Sequence, residues 1–424
     1  MRITADLLKR IIADQQEEVT PTPYITRTVE GRLSHFADTP SILVLKGMRR
    51  SGKSALLHHV RSLQPESDYY FNFEDERLAQ FTTEDFQRLQ ETFITLFGLQ
   101  RTYYFDEIQN IPDWEIFVRR LYTAGNKIYI TGSNAHLFSA ELGTRLTGRY
   151  ISLEIYPFSF LEFLNGQAPE LSALKRWSTT QQGQIQNFFH HYCQYGGIPE
   201  YVKYRHTEYL QTLYESILYR DIIARHHIVN PVTIRALIFY LASNCSKETS
   251  YSALKKALGS GSATTISDYC HYLEEPYLCF FVNRYSESVK AQMQSPKKVY
   301  FIDHALAKII GFHFSDDTGR LLENLVFIEL KRREFEIYYY KENKECDFIA
   351  RKPAHDTLAI QVCKNLHEPK TRQREYDGLL EALHRLTLST GYILTEEEEE
   401  RVTLEYDGQS YTIQILPLWK WLIT

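Results

Sequence analysis

Four residues in one short stretch have the types and spacing of a phosphate-binding loop: Gly47, Gly52, Lys53 and Ser54 fit the pattern G-x-x-x-x-G-K-[ST]. Glycine lets the backbone curl so that successive N–H groups face phosphate oxygens, and the N-terminus of a following helix adds partial positive charge. Lys53 would contact the β- and γ-phosphates, and the hydroxyl of Ser54 would coordinate Mg²⁺. The residues predicted to bind the phosphates are Gly47, Arg50, Ser51, Gly52, Lys53, Ser54 and Ala55.

A pair of adjacent carboxylates, Asp106 and Glu107, follows an apolar strand predicted at residues 103–105. A buried strand that delivers two carboxylates to its C-terminal end, downstream of a phosphate loop, is typical of nucleoside triphosphate hydrolysis. Asp106 would hold Mg²⁺ through water or through Ser54. Glu107 would orient and polarise the attacking water.

A second set of candidates follows the strand predicted at residues 127–130. Ser133 and Asn134 could hydrogen-bond the γ-phosphate or the water, or they could form a turn and cap the next helix. Arg145 and Arg149 are each a candidate arginine finger, with a structural ion pair as the alternative. An arginine that acted across a subunit interface would require a homo-oligomer.

Composition narrows the class of protein. The chain has 424 residues and a formal net charge of −5, so two or three domains are expected, without an overall nucleic-acid-binding charge. Its six cysteines include no C-x-x-C pair, which favours free thiols in a reducing cytosol over a structural zinc site. No apolar run approaches the roughly 20 residues of a membrane span. We expect a soluble, cytoplasmic protein without a membrane partner.

These residues require an α/β fold, in which parallel strands bring the loop and the acidic pair to one edge of a sheet. We predict a P-loop ATPase domain with a parallel sheet flanked by helices at residues 1–164. A helical and winged-helix domain is predicted at residues 165–317, and a further α/β domain at residues 318–424. The third helix of the predicted winged helix has only acidic formal charges, whereas Lys255 and Lys256 give a modest basic patch nearby. DNA binding and a packing or protein-contact role therefore both stay open for this module.

Several motifs resemble those of a known family. GMRRSGKS, YYFDEIQ, TGSNAHL and LTGRYISLEIYPFSFLEF are similar to motifs of the AAA-superfamily ATPases of bacteria and archaea that carry a C-terminal region of unknown function. Residues 188–202, 218–228 and 319–333 also match that family, and residues 360–366 match more loosely. The resemblance implies an ATPase core, a winged-helix middle and a nuclease-like C-terminal fold.

The order of elements near the C-terminus resembles the PD-(D/E)xK nuclease fold, in which acidic residues bind metal and activate water. The matching positions are Glu323, Asp347 and Gln361, with Cys363 where the lysine is expected. Lys364 comes one residue late and should point to the opposite face of its strand. The site is therefore expected to be degenerate.

The sequence predicts Mg²⁺-dependent ATP binding and hydrolysis coupled to a conformational change in a C-terminal regulatory or nucleic-acid-binding half. The C-terminal half would contact DNA or a protein. The family resemblance favours ATP over GTP. In addition, no N-K-x-D guanine motif follows the strand predicted at residues 127–130. Two alternatives are a nucleotide-gated DNA-binding regulator with slow turnover and an ATP-regulated nuclease.

Overall fold

The computed structural model describes residues 3–17, 24–36, 39–133, 146, 148–174, 176–259, 261–312, 318–353 and 357–424. The chain divides into two compact units, each described here by itself. The first comprises Met1–Tyr156 and Glu275–Tyr277, and the second comprises Pro157–Glu274 and Leu278–Thr424. In the described ranges, no helix is both long and apolar enough to cross a membrane.

The first unit is built on a five-stranded parallel sheet with the strand order β2-β3-β4-β1-β5. Its strands are β1 (Ile42–Lys46), β2 (Tyr70–Asn72), β3 (Thr102–Asp106), β4 (Lys127–Gly132) and β5 (Tyr150–Glu154). Helices flank the sheet at Ala5–Glu17, Glu30–His35, Lys53–Ser62, Asp85–Phe97 and Trp114–Thr123. The predicted α/β class, with a parallel sheet flanked by helices, is confirmed.

Apolar and aromatic side chains fill the core of this unit. β1 and β4 are almost entirely buried, which matches their unbroken apolar runs. On one side of the sheet, the rings of Phe86 and Phe117 stack with their centroids 4.5 Å apart, and Phe73 and Phe105 lie within 6 Å of each other. This packing fixes the position of β3, whose last residue is Asp106.

The second unit begins with a helical region. Its helices are Phe160–Gln167, Pro169–Ser172, Thr179–Tyr195, Pro199–Tyr204, Thr207–Ser216, Pro231–Ser243, Tyr251–Leu258, Ala263–Glu274, Val289–Gln294 and His304–Ile310, and Ile217–Ala224 forms a π-helix. The turn at Gly196 and Gly197 is required by close packing, because a Cβ on Gly197 would lie 2.2 Å from the carbonyl oxygen of Phe158. The Gly197 N–H donates to Asp303, which also caps the last of these helices.

A small antiparallel sheet in this unit has the strand order β6-β8-β7. Its strands are β6 (Glu248–Thr249), β7 (Cys279–Val282) and β8 (Lys297–Phe301). β6 has no signal in the sequence, because a strand of two residues shows no alternation. The Asn324 side chain bonds both the N–H and the C=O of Phe301. The winged-helix interpretation and the three-domain boundaries stay predictions.

A mixed six-stranded sheet completes the second unit, with the strand order β13-β14-β12-β11-β10-β9. Its strands are β9 (Glu336–Lys341), β10 (Glu345–Arg351), β11 (Leu358–Val362), β12 (Thr390–Thr395), β13 (Glu400–Tyr406) and β14 (Gln409–Pro417). The accompanying helices are Thr318–Arg332, Pro369–Leu386 and Leu418–Ile423. Gly378 lets one helix approach the sheet, since a Cβ there would lie 2.1 Å from the carbonyl oxygen of Glu345.

Candidate functional site

The phosphate loop connects β1 to the helix Lys53–Ser62, and its two glycines are needed for different reasons. A Cβ on Gly47 would lie 2.1 Å from the carbonyl oxygen of Ile155. Gly52 has a φ of 97°, in the left-handed region, and forms the N-cap of the helix. The loop therefore brings backbone N–H groups and a helix N-terminus to the same edge of the sheet.

Lys53 lies buried at the start of that helix. Its Nζ donates to the carbonyl oxygen of Met48 at 3.1 Å and lies 3.7 Å from Oε1 of Glu107. The ammonium group is therefore held between the loop and the acidic pair. The predicted loop residues Arg50 and Ala55 are exposed.

Asp106 lies at the end of β3 and is almost completely buried. Its Oδ1 accepts hydrogen bonds from the hydroxyls of Ser54, at 3.1 Å, and of Thr131, and its Oδ2 accepts one from Tyr70 at 3.3 Å. Burial raises the pKa of this carboxyl, and the neighbouring Glu107 raises it further. A cation at this position would favour the ionised form, which these hydroxyl donors already stabilise.

Glu107 has a left-handed backbone, with a φ of 50°. This conformation is uncommon for a residue with a side chain and is often found at functional sites. Its backbone N–H donates to Thr131 Oγ1 at 3.0 Å, and its Oε2 accepts hydrogen bonds from Ser133 at 3.3 Å and from Gln109 at 2.5 Å. The carboxylate is thus held in one orientation beside Lys53.

Thr131 is a site residue that the sequence interpretation passed over in favour of Ser133 and Asn134. Its hydroxyl accepts from the Glu107 N–H and donates to Asp106, so one group joins both members of the acidic pair. The available signal was a polar residue near the end of the apolar strand β4. Ser133 contacts Glu107, whereas Asn134 lies outside the described residues.

Arg27 is a second residue that the sequence did not single out. It is buried, and its guanidinium donates to the carbonyl oxygen of Ser51 at 3.0 Å and to that of Tyr156 at 2.5 Å. Its backbone N–H donates to the side chain of Glu30, the first residue of the following helix. Arg27 therefore fixes the position of the phosphate-loop backbone.

The donor set fits magnesium and a triphosphate. The Ser54 hydroxyl and the Asp106 carboxylate are oxygen ligands 3.1 Å apart, and Mg²⁺ in proteins is usually bound by one or two carboxylates together with substrate phosphates and water. Across the described part of the chain, no group of three or more His, Cys, Asp or Glu residues is arranged to hold a metal ion. A magnesium ion would therefore depend on Ser54, Asp106 and the phosphates.

Only one of the two candidate arginine fingers lies within the described residues. Arg145 lies outside the described residues, and Arg149 is exposed at the start of β5. Their roles stay predictions.

The C-terminal candidates separate into two groups. Glu323 and Asp347 are buried and both contact Lys298, a residue that the sequence did not indicate. Gln361 instead uses its Oε1 to accept the N–H of Asp347 at 3.1 Å, and Lys364 is exposed. The structure thus places Lys298, and not Lys364, among the carboxylates.

Two family models match the chain. Residues 39–164 match the family described as AAA domain, and residues 186–315 match a domain of unknown function, DUF8612. The first match contains the phosphate loop, the acidic pair and Thr131, and it supports a nucleotide-binding ATPase domain.

Two relatives align with most of the chain. Uncharacterized protein MJ1544 of Methanocaldococcus jannaschii is 32% identical over 434 residues, covering 99% of this chain and 95% of that protein. An uncharacterized protein of Haemophilus influenzae is 33% identical over 396 residues, covering 88% of this chain and 95% of that protein.

Two solved structures share 13% identity with the chain. One is a Signal Transduction ATPase with Numerous Domains protein with a tetratricopeptide repeat sensor, PH0952 of Pyrococcus horikoshii; it has a TM-score of 0.28, and the match covers 74% of this chain and 46% of that one. The other is the Aeropyrum pernix ORC1 protein in complex with DNA, with a TM-score of 0.30 and coverage of 71% and 95%.

Proposed function

Because the chain belongs to the same family as the Methanocaldococcus jannaschii protein MJ1544, and its residues 39–164 match the AAA domain, we propose that it binds ATP with magnesium and hydrolyses it. The observation that carries this proposal is the contact between the two motifs. Ser54, at the end of the phosphate loop, bonds Asp106, and Lys53 lies beside Glu107.

The loop supplies the binding energy for the triphosphate. Backbone N–H groups between Gly47 and Ala55 and the N-terminus of the following helix stabilise negative charge. Lys53 exchanges the carbonyl of Met48 for phosphate oxygens, which are stronger partners for an ammonium group. Arg27 holds the loop in position through the Ser51 carbonyl.

Ser54 and Asp106 would hold magnesium, and the metal would supply positive charge to the phosphates. Glu107 accepts a proton from, or orients, the attacking water, and its side chain is positioned by Ser133 and Gln109. Thr131 positions both acidic residues, because its hydroxyl bonds the Glu107 N–H and the Asp106 carboxylate. Ser133 is well placed to respond to the γ-phosphate, because it bonds the same carboxylate.

The binding step is tested with the variant Lys53→Ala. We expect the affinity for ATP to fall by about tenfold to hundredfold, because hydrogen bonds to charged groups contribute roughly 1.5–3 kcal/mol. Fluorescence anisotropy with a labelled ATP analogue measures the affinity, and Lys9→Ala, an exposed residue on the first helix, is the control. Equal affinities of Lys53→Ala and the control would contradict this assignment.

We also propose that the C-terminal half has a regulatory role and does not cleave nucleic acid. Cys363 stands where a nuclease lysine would be expected, and the Gln361 oxygen is already bonded to Asp347. Both features argue against metal-dependent cleavage of nucleic acid. Hydrolysis in the first unit would then serve to change the conformation of the second.

A further inference from the structure

Lys298 is a charged residue buried inside the second unit. It lies on β8, the central strand of the small sheet, and its side chain is 3% exposed. A lysine is almost never fully buried unless its charge is paired. Its surroundings therefore require an explanation.

Three carboxylates surround its ammonium group, and we call them the acidic cluster: Glu323, Glu345 and Asp347. The distances from Lys298 Nζ are 3.0 Å to Glu323, 2.8 Å to Glu345 and 2.9 Å to Asp347. These residues come from the helix Thr318–Arg332 and from β10, whereas Lys298 comes from a different sheet. One side chain thus joins two sheets and a helix.

The direction of the Lys298 side chain is set by its strand. Alternate residues of a strand share a face, so Lys298 and Tyr300 point the same way. The Tyr300 hydroxyl donates to Glu323 Oε1 at 2.6 Å, the same oxygen that Lys298 contacts. The position of the ammonium group is therefore part of the packed core.

Lys298 is the cation that all three carboxylates contact. Burial disfavours the charged form of Lys298, but Asp347 and Glu323 outweigh burial and raise its pKa. Burial, together with Asp347, raises the pKa of Glu323 to about 8. For Glu345 burial opposes ionisation, but Lys298 and Lys341 outweigh it and lower the pKa. Lys298 therefore stays paired with carboxylates although it is buried.

Asp347 and Glu345 each use their second carboxylate oxygen in another contact. The second oxygen of Asp347 accepts the N–H of Val362 at 3.0 Å, and the second oxygen of Glu345 lies 3.1 Å from Lys341. Gln361 directs its oxygen to the Asp347 N–H. The carboxylates are thus oriented around a cation that the chain itself provides.

We propose that Lys298 is a built-in cation that closes the acidic cluster to divalent metal ions and fastens β8 to the helix and strand that carry the cluster. Carboxylate oxygens are the ligands that divalent cations prefer, but with Lys298 in place no group of three acidic residues in the described part of the chain is arranged to hold a metal ion. Here the ammonium group occupies the position between the carboxylates, so it prevents a metal ion from binding there. Lys298 and the acidic cluster all belong to the second unit.

The test uses the full chain without nucleotide. Manganese binding is measured by electron paramagnetic resonance, and the melting temperature is measured with and without MnCl₂, for wild type and Lys298→Met. Lys297→Met is the matched control, because Lys297 is the neighbouring residue and bonds Asn283 outside the cluster. The double variant Lys298→Met/Asp347→Asn removes a ligand from the opened cluster.

We expect wild type and Lys297→Met to show the same manganese binding and no manganese-dependent change in melting temperature. Lys298→Met should melt lower, bind an additional manganese ion and regain a few degrees in its presence, whereas the double variant should gain neither. Lys298→Gln, which keeps a polar side chain without the charge, supplies the same comparison if Lys298→Met does not fold.

Two results would overturn closure by Lys298. One is a folded Lys298→Met or Lys298→Gln protein that binds no more manganese than wild type. The other is manganese binding by wild type that disappears in Asp347→Asn, because the cluster would then already be open. The second comparison needs no Lys298 variant.

Discussion

The Thr131 hydroxyl connects the backbone of Glu107 to the carboxylate of Asp106 in the candidate site. It accepts from the backbone N–H of Glu107 and donates to the side chain of Asp106. Both partners are buried, so a lost hydrogen bond here is not replaced by water without cost. The hydroxyl therefore positions the site.

Removal of this hydroxyl should slow turnover more than it weakens binding. For Thr131→Val, which preserves the shape of the side chain, we expect kcat to fall by about tenfold to hundredfold, with a smaller change in KM. Thr131→Ser retains the hydroxyl and should recover most of the rate. Steady-state phosphate release measures both parameters, and equal rates for Thr131→Val and wild type would remove this role.

The sequence indicated the residues of the site whose types are tied to fixed spacing. Gly47, Gly52, Lys53 and Ser54 were identified because each position of a phosphate loop demands one chemistry. Thr131 and Arg27 were not, because their roles depend on contacts with residues 24 to 25 positions away. A single polar residue in a strand, or one arginine in a connecting segment, has no spacing that distinguishes it.

At the scale of elements, the segment before β1 supports the phosphate loop. The ring of Tyr24 stacks on His59 of the loop helix at 3.9 Å, and Arg27 donates to the Ser51 carbonyl. The segment and the loop are therefore coupled by both apolar and polar contacts.

Loss of the Arg27 guanidinium should loosen the loop. We expect Arg27→Met, which keeps an unbranched apolar side chain but removes the guanidinium, to weaken ATP binding by about tenfold and to lower the melting temperature. Arg32→Met, on the neighbouring helix, is the control. Labelled-nucleotide anisotropy and thermal unfolding measure the two effects, and unchanged values of both would show that Arg27 does not support the loop.

The helix Thr318–Arg332 should make stability depend on pH through Glu323. The pKa of this carboxyl rises from 4.5 to about 8 because the folded state buries it. Between these two pKa values the folded state binds more protons at Glu323 than the unfolded state. The contribution of Glu323 to the free energy of unfolding therefore decreases as pH rises, and the decrease is complete above about pH 8.

Glu323→Gln should remove this dependence. Relative to wild type, the variant should gain at least about 1 kcal/mol of unfolding free energy between pH 5 and pH 8, since one unit of pKa shift corresponds to roughly 1.4 kcal/mol. Urea unfolding across this range measures it, and Glu336→Gln, an exposed carboxylate on β9, is the control. Parallel pH profiles for wild type and Glu323→Gln would contradict the shift.

Most helices and strands were predictable within a few residues, because amphipathic and apolar runs are bounded by Ser, Gly and Pro signals. The helix Tyr251–Leu258 carries such signals, with Ser250 as its N-cap and Gly259 as its left-handed C-cap. β6 and the π-helix Ile217–Ala224 were not predictable, because neither has a distinct periodicity. Lys298 and Asp347 are 49 positions apart and lie in two different sheets, so no local sequence pattern predicts their contact.

For the molecule as a whole, the C-terminal sheet is expected to leave nucleic acid intact. The acidic cluster is paired with Lys298, and the strand β11 is followed by Cys363 and not by lysine. Incubation of supercoiled plasmid with wild type, ATP and Mg²⁺ or Mn²⁺ should give no cleavage on a gel. Cleavage that is lost in Asp347→Ala would contradict this expectation and restore the nuclease alternative.

For the whole molecule, we propose that the first unit hydrolyses ATP with Glu107 acting on the attacking water. The most direct measurement is steady-state ATP hydrolysis by wild type and Glu107→Gln, with and without duplex DNA, together with ATP binding by both proteins. We predict magnesium-dependent turnover by wild type. Glu107→Gln should bind ATP with similar affinity and lose turnover by about a hundredfold or more, because the amide cannot act as a base. Equal turnover by the two proteins would contradict the assignment of the site.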